Sequence, residues 1–222
     1  YAITSMLAPA AYDGTIRGLD PCAGKGAALD EVAWGLRSKR SETGASANVM
    51  SYAVEPAPAR YEACLSIFGR DQTLNTSWEE TTVANQAFSF LYLNPPYDWE
   101  AVEREEEDGN EAPSSRRNRL EYNFLRETMH KLQAGGLLIF IVPHKILGIE
   151  RVARTIANNF EDIRVYSLPD GEYEAYSQCV LFAYRRDGLA EDEETTKELM
   201  KYGAHRPPLI NEHDAETGPY IY

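Results

Sequence analysis

Positive charge is what this 222-residue chain has least of: 22 Lys and Arg face 35 Asp and Glu, for a net charge of −13. A broad nucleic-acid surface needs clustered cations against phosphate, and this balance argues against one. From Asp187 onward the tail contributes −6 of that charge, which leaves −7 on the rest. Apolar runs are also short. None approaches the roughly 18 residues of a membrane-crossing helix, and no leader pattern opens the chain, so we expect a cytoplasmic protein without membrane contact. Cysteine is scarce: Cys22, Cys64 and Cys179 lack metal-ligand spacing and are expected to be reduced, buried thiols. The four histidines form no metal pattern either, so no metal is expected; only His144, after a buried-looking strand, is placed near a site. There are no internal repeats. With no initiator Met and an abrupt end at Tyr222, a fragment or processed piece is expected.

What is present is α/β alternation in one domain long enough for a sizeable core. Strands are predicted near Ile16–Asp20, Val49–Glu55, Phe88–Leu93 and Leu137–Val142. Helices are predicted over Ala27–Arg37, Ala57–Phe68, Leu120–Leu132, ended by Gly135-Gly136, and Val152–Phe160. Arg164–Leu168 and Cys179–Tyr184 read as an antiparallel closing pair around Pro169-Asp170-Gly171. Beyond Gly188 the chain turns acidic and polar. There we expect a short helix or disorder over Ala190–Lys201, then an extended stretch at Pro207-Pro208.

Three motifs fall at the carboxyl ends of predicted strands. The first is Asp20-Pro21-Cys22-Ala23-Gly24-Lys25-Gly26, a glycine-containing turn between strand and helix. It is not a dinucleotide fingerprint, because Leu29 occupies the third glycine position, and no Gly-Lys-Ser/Thr makes it a phosphate-gripping loop. Asp20 would repel a pyrophosphate and attract a cation such as the amino group or sulfonium of S-adenosylmethionine. An ordinary tight turn would look similar. The second motif is Glu55-Pro56, an acid after the second strand, the position that takes ribose hydroxyls in dinucleotide folds, or a solvated strand end. The third is Asn94-Pro95-Pro96-Tyr97. Here the Asn94 side-chain oxygen can accept one N–H of a planar amine and the Pro95 carbonyl the other, held by the proline rings. The Tyr97 ring can stack on the flat substrate. A rigid Pro-Pro turn is the structural alternative.

In this order, the three motifs resemble class I S-adenosylmethionine-dependent methyltransferases that act on amines, and most of all the adenine-N6 DNA methyltransferases. The resemblance spans residues 1–186. It implies a Rossmann-like α/β fold with a mostly parallel seven-stranded sheet and an antiparallel closing strand. It also implies S-adenosylmethionine as cofactor and adenine N6 in DNA as acceptor, in a restriction or phage-defence setting. Asn94, Pro95, Pro96 and Tyr97 would form the catalytic tetrapeptide, while Asp20, Cys22, Ala23, Gly24, Gly26, Glu55, Pro56 and Asn94 would line the cofactor. The subgroup's segment before the first strand maps onto Tyr1, Ile3 and Thr4, with Thr4 as a cofactor contact. Tyr173 would be the second ring of a clamp on the base; a partly buried structural tyrosine fits equally.

The sequence departs from the family in three ways. The acid after the third strand is absent, leaving Asn75 or Ser77 in its place, with Ser77 assigned to the cofactor. A long charged loop, Glu100–Arg119, follows the tetrapeptide, and its Arg116, Arg117 and Arg119 are either a solvated loop or a lid that touches phosphate. No complete recognition domain follows, so residues 187–222 are expected to form an acidic extension or a linker to missing sequence. DNA affinity is then expected from missing C-terminal sequence or a partner protein. Two other functions use the same features: methylation of protein glutamine or an RNA base, which suits the acidic charge, and a non-catalytic binding subunit that keeps the fold.

Overall fold

The computed structural model describes residues 2–8, 14–39, 46–95, 113–169, 177–210 and 220–221, without side chains for 2, 113–119 and 220–221. Pro96, Tyr97, Tyr173 and Tyr1 lie outside the described residues, and so do the side chains of Arg116, Arg117 and Arg119.

A short helix α1 (Ala2–Ser5) and strand β1 (Leu7–Ala8) precede β2 (Thr15–Asp20), α2 (Ala27–Ser38), β3 (Asn48–Val54), α3 (Pro58–Phe68) and β4 (Thr73–Leu74). Then come β5 (Phe88–Leu93), α4 (Pro113–Thr128), β6 (Leu132–Pro143), α5 (Glu150–Asn159), β7 (Phe160–Ser167), β8 (Gln178–Arg185), α6 (Glu193–Lys201) and β9 (Tyr220–Ile221). The main sheet has seven strands in the order β4-β3-β2-β5-β6-β8-β7. Neighbours from β4 through β6 are parallel, and β8 runs antiparallel to both β6 and β7. This is the Rossmann-like methyltransferase fold that the motif order implied.

Both faces of the sheet are covered, which explains the unbroken apolar sequence of its central strands. Successive residues of β6 point to opposite faces. Leu138, Phe140 and Val142 join the core under α4, α5 and α6, while Leu137, Ile139 and Ile141 join the core under α2. β5 divides likewise, with Leu91 and Leu93 on one side and Phe90 and Tyr92 on the other.

Several local expectations are corrected. Gly135 and Gly136 do not terminate a helix. They lie inside β6, which starts at Leu132 after a tight turn over Met129–Lys131, and Gly135 takes a left-handed φ of 71° that bends the early strand. Arg116, Arg117 and Arg119 belong to α4 rather than a loop, because Pro113 opens the helix and the Leu120, Phe124 and Leu125 stripe continues it. Phe160 begins β7 instead of ending α5, and its fully buried ring sits in the core. Of the two alternatives for the tail, the short helix is the one observed, at Glu193–Lys201: Asp192 caps α6 by accepting from the Thr195 N–H at 2.9 Å, and Leu199 enters the core beside α5. Pro208 continues it in extended form, its carbonyl accepting from Ser167 N–H at 2.8 Å. Cys64 and Cys179 are buried, whereas Cys22 is half-buried; all three are free.

One contact holds the strands that carry the two principal motifs. Gly18 of β2 pairs with Phe90 of β5, and a Cβ on Gly18 would fall 2.0 Å from the Phe90 ring. The fully buried ring therefore occupies the space that any larger residue would need. Gly18→Ala should lose about 1–3 kcal/mol to overpacking, outweighing the roughly 0.5–1 kcal/mol that Ala gains over Gly in a strand. Urea unfolding measures the loss, and Phe90→Leu in the same chain should recover part of it.

Candidate active site

Chain order reverses between β2 and β5: the path runs outward through β3 and β4, then returns to the other side of β2. Ligands of open α/β sheets bind outside the strand carboxyl ends at such a reversal. Here the reversal brings the loop after β2 beside Asn94, and a hydrogen bond crosses the gap, with the Cys22 thiol donating to the Asn94 carbonyl at 3.2 Å.

The β2 loop is tightly held. Ala23 N–H donates to Val54 O at 3.0 Å and Gly26 N–H to Ala23 O at 2.8 Å. Gly26 has φ of 80°, and a Cβ there would sit 2.7 Å from the Phe68 ring. Gly24 differs: φ is 56° and the space a Cβ would fill holds no heavy atom within 4 Å. A ligand can therefore approach the backbone at Gly24, while Gly26 serves packing.

Two buried carboxylates flank this loop, 2% and 3% exposed for Asp20 and Glu55. Asp20 Oδ1 accepts from the Cys22 N–H at 3.0 Å. Burial pushes its carboxyl up to about 7, against the hydrogen bonds from Cys22, and the nearby Glu55 adds to the rise. Glu55 is more fully engaged: Oε2 accepts from Gly24 N–H at 2.9 Å, and Oε1 from Ala57 N–H and Arg60 Nε, each at 2.9 Å. A carboxylate has about four acceptor positions, so one remains. Burial pushes the Cys22 thiol well above its usual range, with Asp20 adding to the effect, so it is a neutral donor rather than a nucleophile.

The residues standing in for the missing acid divide. Asn75 donates its amide to Glu55 O at 2.9 Å and Pro56 O at 3.1 Å, which braces the Glu55 turn. Ser77 is half-buried and opens the short helical turn Trp78–Glu80. Pro56 is exposed. His144 is buried with Nδ1 2.6 Å from Tyr202 O, so it fastens the tail beside the end of β6.

A cavity of about 420 Å³ opens on the α2 side of the sheet beside Asn94. Among its walls are Thr4, Val32, Tyr92, Ile141, Leu168 and Gln178. It meets the sequence-assigned site at Thr4 and Asn94 and not at Asp20, Gly24, Glu55 or Ser77. Its N-terminal wall is pinned in place. The Lys39 ammonium donates to Thr4 O at 2.7 Å, to Ser5 O at 3.4 Å and to Leu7 O, and a Cβ on Gly35 would lie 2.8 Å from the Thr4 methyl. Desolvation lowers the Lys39 ammonium from its usual range. Lys39, Gly35 and Gln178 escaped the sequence reading. Their roles come from tertiary placement, and no local pattern marks them.

The raised Asp20 carboxyl has a consequence for stability. Its folded value near 7 exceeds the unfolded 3.8, so the protonated form favours the fold. That stability is complete below about pH 4 and disappears as pH rises to about 7. Asp20→Asn keeps an acceptor for Cys22 and removes the titration. Relative to this variant, the parent should lose stability between pH 4 and 7, on the order of 3–4 kcal/mol at most. Chemical denaturation of both proteins across that range measures the difference.

A model of the uncharacterised methyltransferase family DUF6094 matches residues 3–217. No curated protein matches the sequence at significant similarity. Among solved structures, a Listeria monocytogenes protein assigned to the class I S-adenosylmethionine-dependent methyltransferases superposes with a TM-score of 0.60 at 18% identity, over 84% of this chain and 58% of that one. The M protein of the type I restriction enzyme EcoKI superposes with a TM-score of 0.52 at 14% identity, over 83% of this chain and 42% of that one. At these identities the likeness is one of fold, and this chain spans little more than half of the first protein and less than half of the second.

Proposed function

The chain belongs to this methyltransferase family, and from that premise we propose that it is an S-adenosylmethionine-dependent N-methyltransferase acting on an exocyclic amine, adenine N6 in DNA. The observation that carries the reading is the bridge between Cys22 and Asn94, which joins the glycine loop and the start of Asn94-Pro95-Pro96-Tyr97 at the sheet's reversal. The crevice fits the cofactor in two respects. Asp20 is a buried carboxyl for which a cationic partner would offset desolvation, and Gly24 leaves its backbone open to close approach. Asp20 would hold the amino end and Glu55 the ribose, with Ala23, Gly24 and Gly26 shaping the loop and Thr4, Pro56 and Ser77 at its margins. When bound, S-adenosylmethionine supplies an electrophilic methyl group on a sulfonium.

The residues of the chain then orient the acceptor. Asn94 Oδ1 takes one N–H of the amine and the Pro95 carbonyl the other, which draws the nitrogen lone pair out of conjugation and aims it. Tyr97 stacks on the ring, and Tyr173 closes the opposite face. No general base with a tuned pKa is needed, because rate comes from positioning and in-line attack. Residues 1–186 form the catalytic unit in this reading, with 187–222 an acidic extension. Arg116, Arg117 and Arg119 provide one basic cluster on a chain of net charge −13, so duplex affinity comes from further sequence or a partner protein. The EcoKI M protein, a restriction-system component of similar fold, supports a restriction or defence setting. The acidic charge favours one second reading, a protein glutamine acceptor.

Isotope transfer, turnover of a variant and calorimetry test these assignments. Incubation with methyl-deuterated S-adenosylmethionine, followed by mass spectrometry, should place label in N6-methyladenine of DNA and not in glutamine peptides. Asn94→Ala should reduce transfer about a hundredfold or more while leaving cofactor affinity nearly unchanged. Calorimetry should show affinity for S-adenosylmethionine tightening from pH 5 to about 7, as Asp20 ionises to meet the cation. Asp20→Ala should weaken binding by roughly 2–3 kcal/mol and remove that dependence.

A further inference from the structure

Gln178 is 7% exposed and lines the cavity beside Asn94, yet its side-chain amide makes no hydrogen bond among the described residues. Its oxygen and nitrogen are not among the sealed polar atoms left without partners, so the amide opens onto the cavity. A buried amide with nothing to bond costs free energy in proportion to its desolvation, and a site built around one is completed by a ligand that supplies the missing partners.

Topology explains how a residue so far along the chain reaches this place. β8 runs antiparallel to β6, so its first residue arrives at the sheet end where the parallel strands finish. Gln178 pairs with Pro143, the last residue of β6, and its carbonyl accepts from Leu168 N–H at 3.3 Å. The amide's place is thereby set by the ladder. Val32, Tyr92, Ile141 and Leu168 are among the apolar walls of the cavity, and Thr4, Glu31 and Asn94 are polar ones. A volume of about 420 Å³ that combines apolar walls with a few polar groups suits a small planar ring.

We propose that this cavity receives the acceptor base and that Gln178 reads its ring edge, its amide donating to a ring nitrogen of adenine while Asn94 and Pro95 hold the exocyclic amine. In DNA recognition a glutamine amide donates to adenine N7 while its oxygen accepts from N6; here the N6 hydrogens go to Asn94 and Pro95, and the donation to a ring nitrogen is the part that carries over. The assignment rests on the nucleobase reading of the function. It makes Gln178 a specificity-determining residue, since an acceptor without a ring nitrogen leaves the buried amide unpaired. The competing use of the cavity is the amino-acid end of the cofactor, toward which Thr4 also faces.

The test compares wild type with Gln178→Met, which keeps length and removes hydrogen bonding, and Gln178→Glu, which removes the donor. Three quantities are measured: S-adenosylmethionine affinity by calorimetry, KM and kcat on mixed-sequence DNA oligonucleotides, and KM on the same oligonucleotides with 7-deazaadenine or 1-deazaadenine in place of adenine. Wild type should discriminate against one of the two deaza bases. Both variants should raise the KM for adenine DNA about tenfold or more, lose that discrimination, and bind S-adenosylmethionine as wild type does. Unchanged KM and unchanged discrimination, with Asn94→Ala inactive on the same DNA, would overturn the role of Gln178 and leave the function standing. Weakened S-adenosylmethionine binding in Gln178→Met would assign the cavity to the cofactor and overturn the proposal. Absence of methyl transfer by wild type to single- or double-stranded oligonucleotides, at concentrations high enough to offset the chain's weak DNA affinity, would remove the nucleobase reading, and the proposal with it.

Discussion

Everything at the site follows from the pairing of β2 with β5. These strands are far apart in sequence, and their contact turns two short loops into one crevice. Gly18 allows the contact by giving its side-chain space to the Phe90 ring, and the pairing continues at Leu19 with Leu91. Beyond the last paired residues the chains diverge, one into the Asp20 loop and the other into Asn94. The Cys22 thiol spans the opening at 3.2 Å from the Asn94 carbonyl. A change in the sheet at Gly18 would therefore reach the site as a change in loop spacing.

Two acids of nearly equal burial sit beside this crevice and are treated differently by their surroundings. Glu55 gathers two backbone N–H groups and the Arg60 guanidinium, so its charge organises the Gly24 loop and the start of α3. Asp20 receives a single backbone donor and is pushed up to about 7 by desolvation. One carboxylate is thus part of the frame, and the other is poised to gain a cation. The division follows from local geometry: Glu55 lies at a turn where Gly24 and Ala57 both aim N–H groups at it, while Asp20 ends a strand under the loop.

How much of this was legible in the sequence depended on the range of the interaction. Strands β2, β3 and β5, with their terminal Asp20, Glu55 and Asn94, were readable because apolar runs ending in turn residues are local signals. The mostly parallel seven-stranded sheet with an antiparallel strand came from resemblance and agrees with the structure. Gly135-Gly136 misled because a glycine pair reads as a stop, whereas both residues lie inside a strand whose apolar run starts at Leu137. The arginines near 116 looked like loop residues because the acidic run before them masks the helical stripe from Leu120 onward. Gln178, Lys39 and Gly35 were silent. A glutamine opening a strand has no pattern, and only the antiparallel return of β8 brings it to the Asn94 end of the sheet.

The most direct test of this account is a crystal structure with S-adenosylhomocysteine bound. The account requires the ligand's amino group on the Asp20 carboxylate, its ribose hydroxyls on Glu55, its chain against Gly24, and its sulfur turned toward Asn94. A ligand seated away from the β2–β5 crevice, or one that leaves Asp20 without a cationic partner, would contradict it.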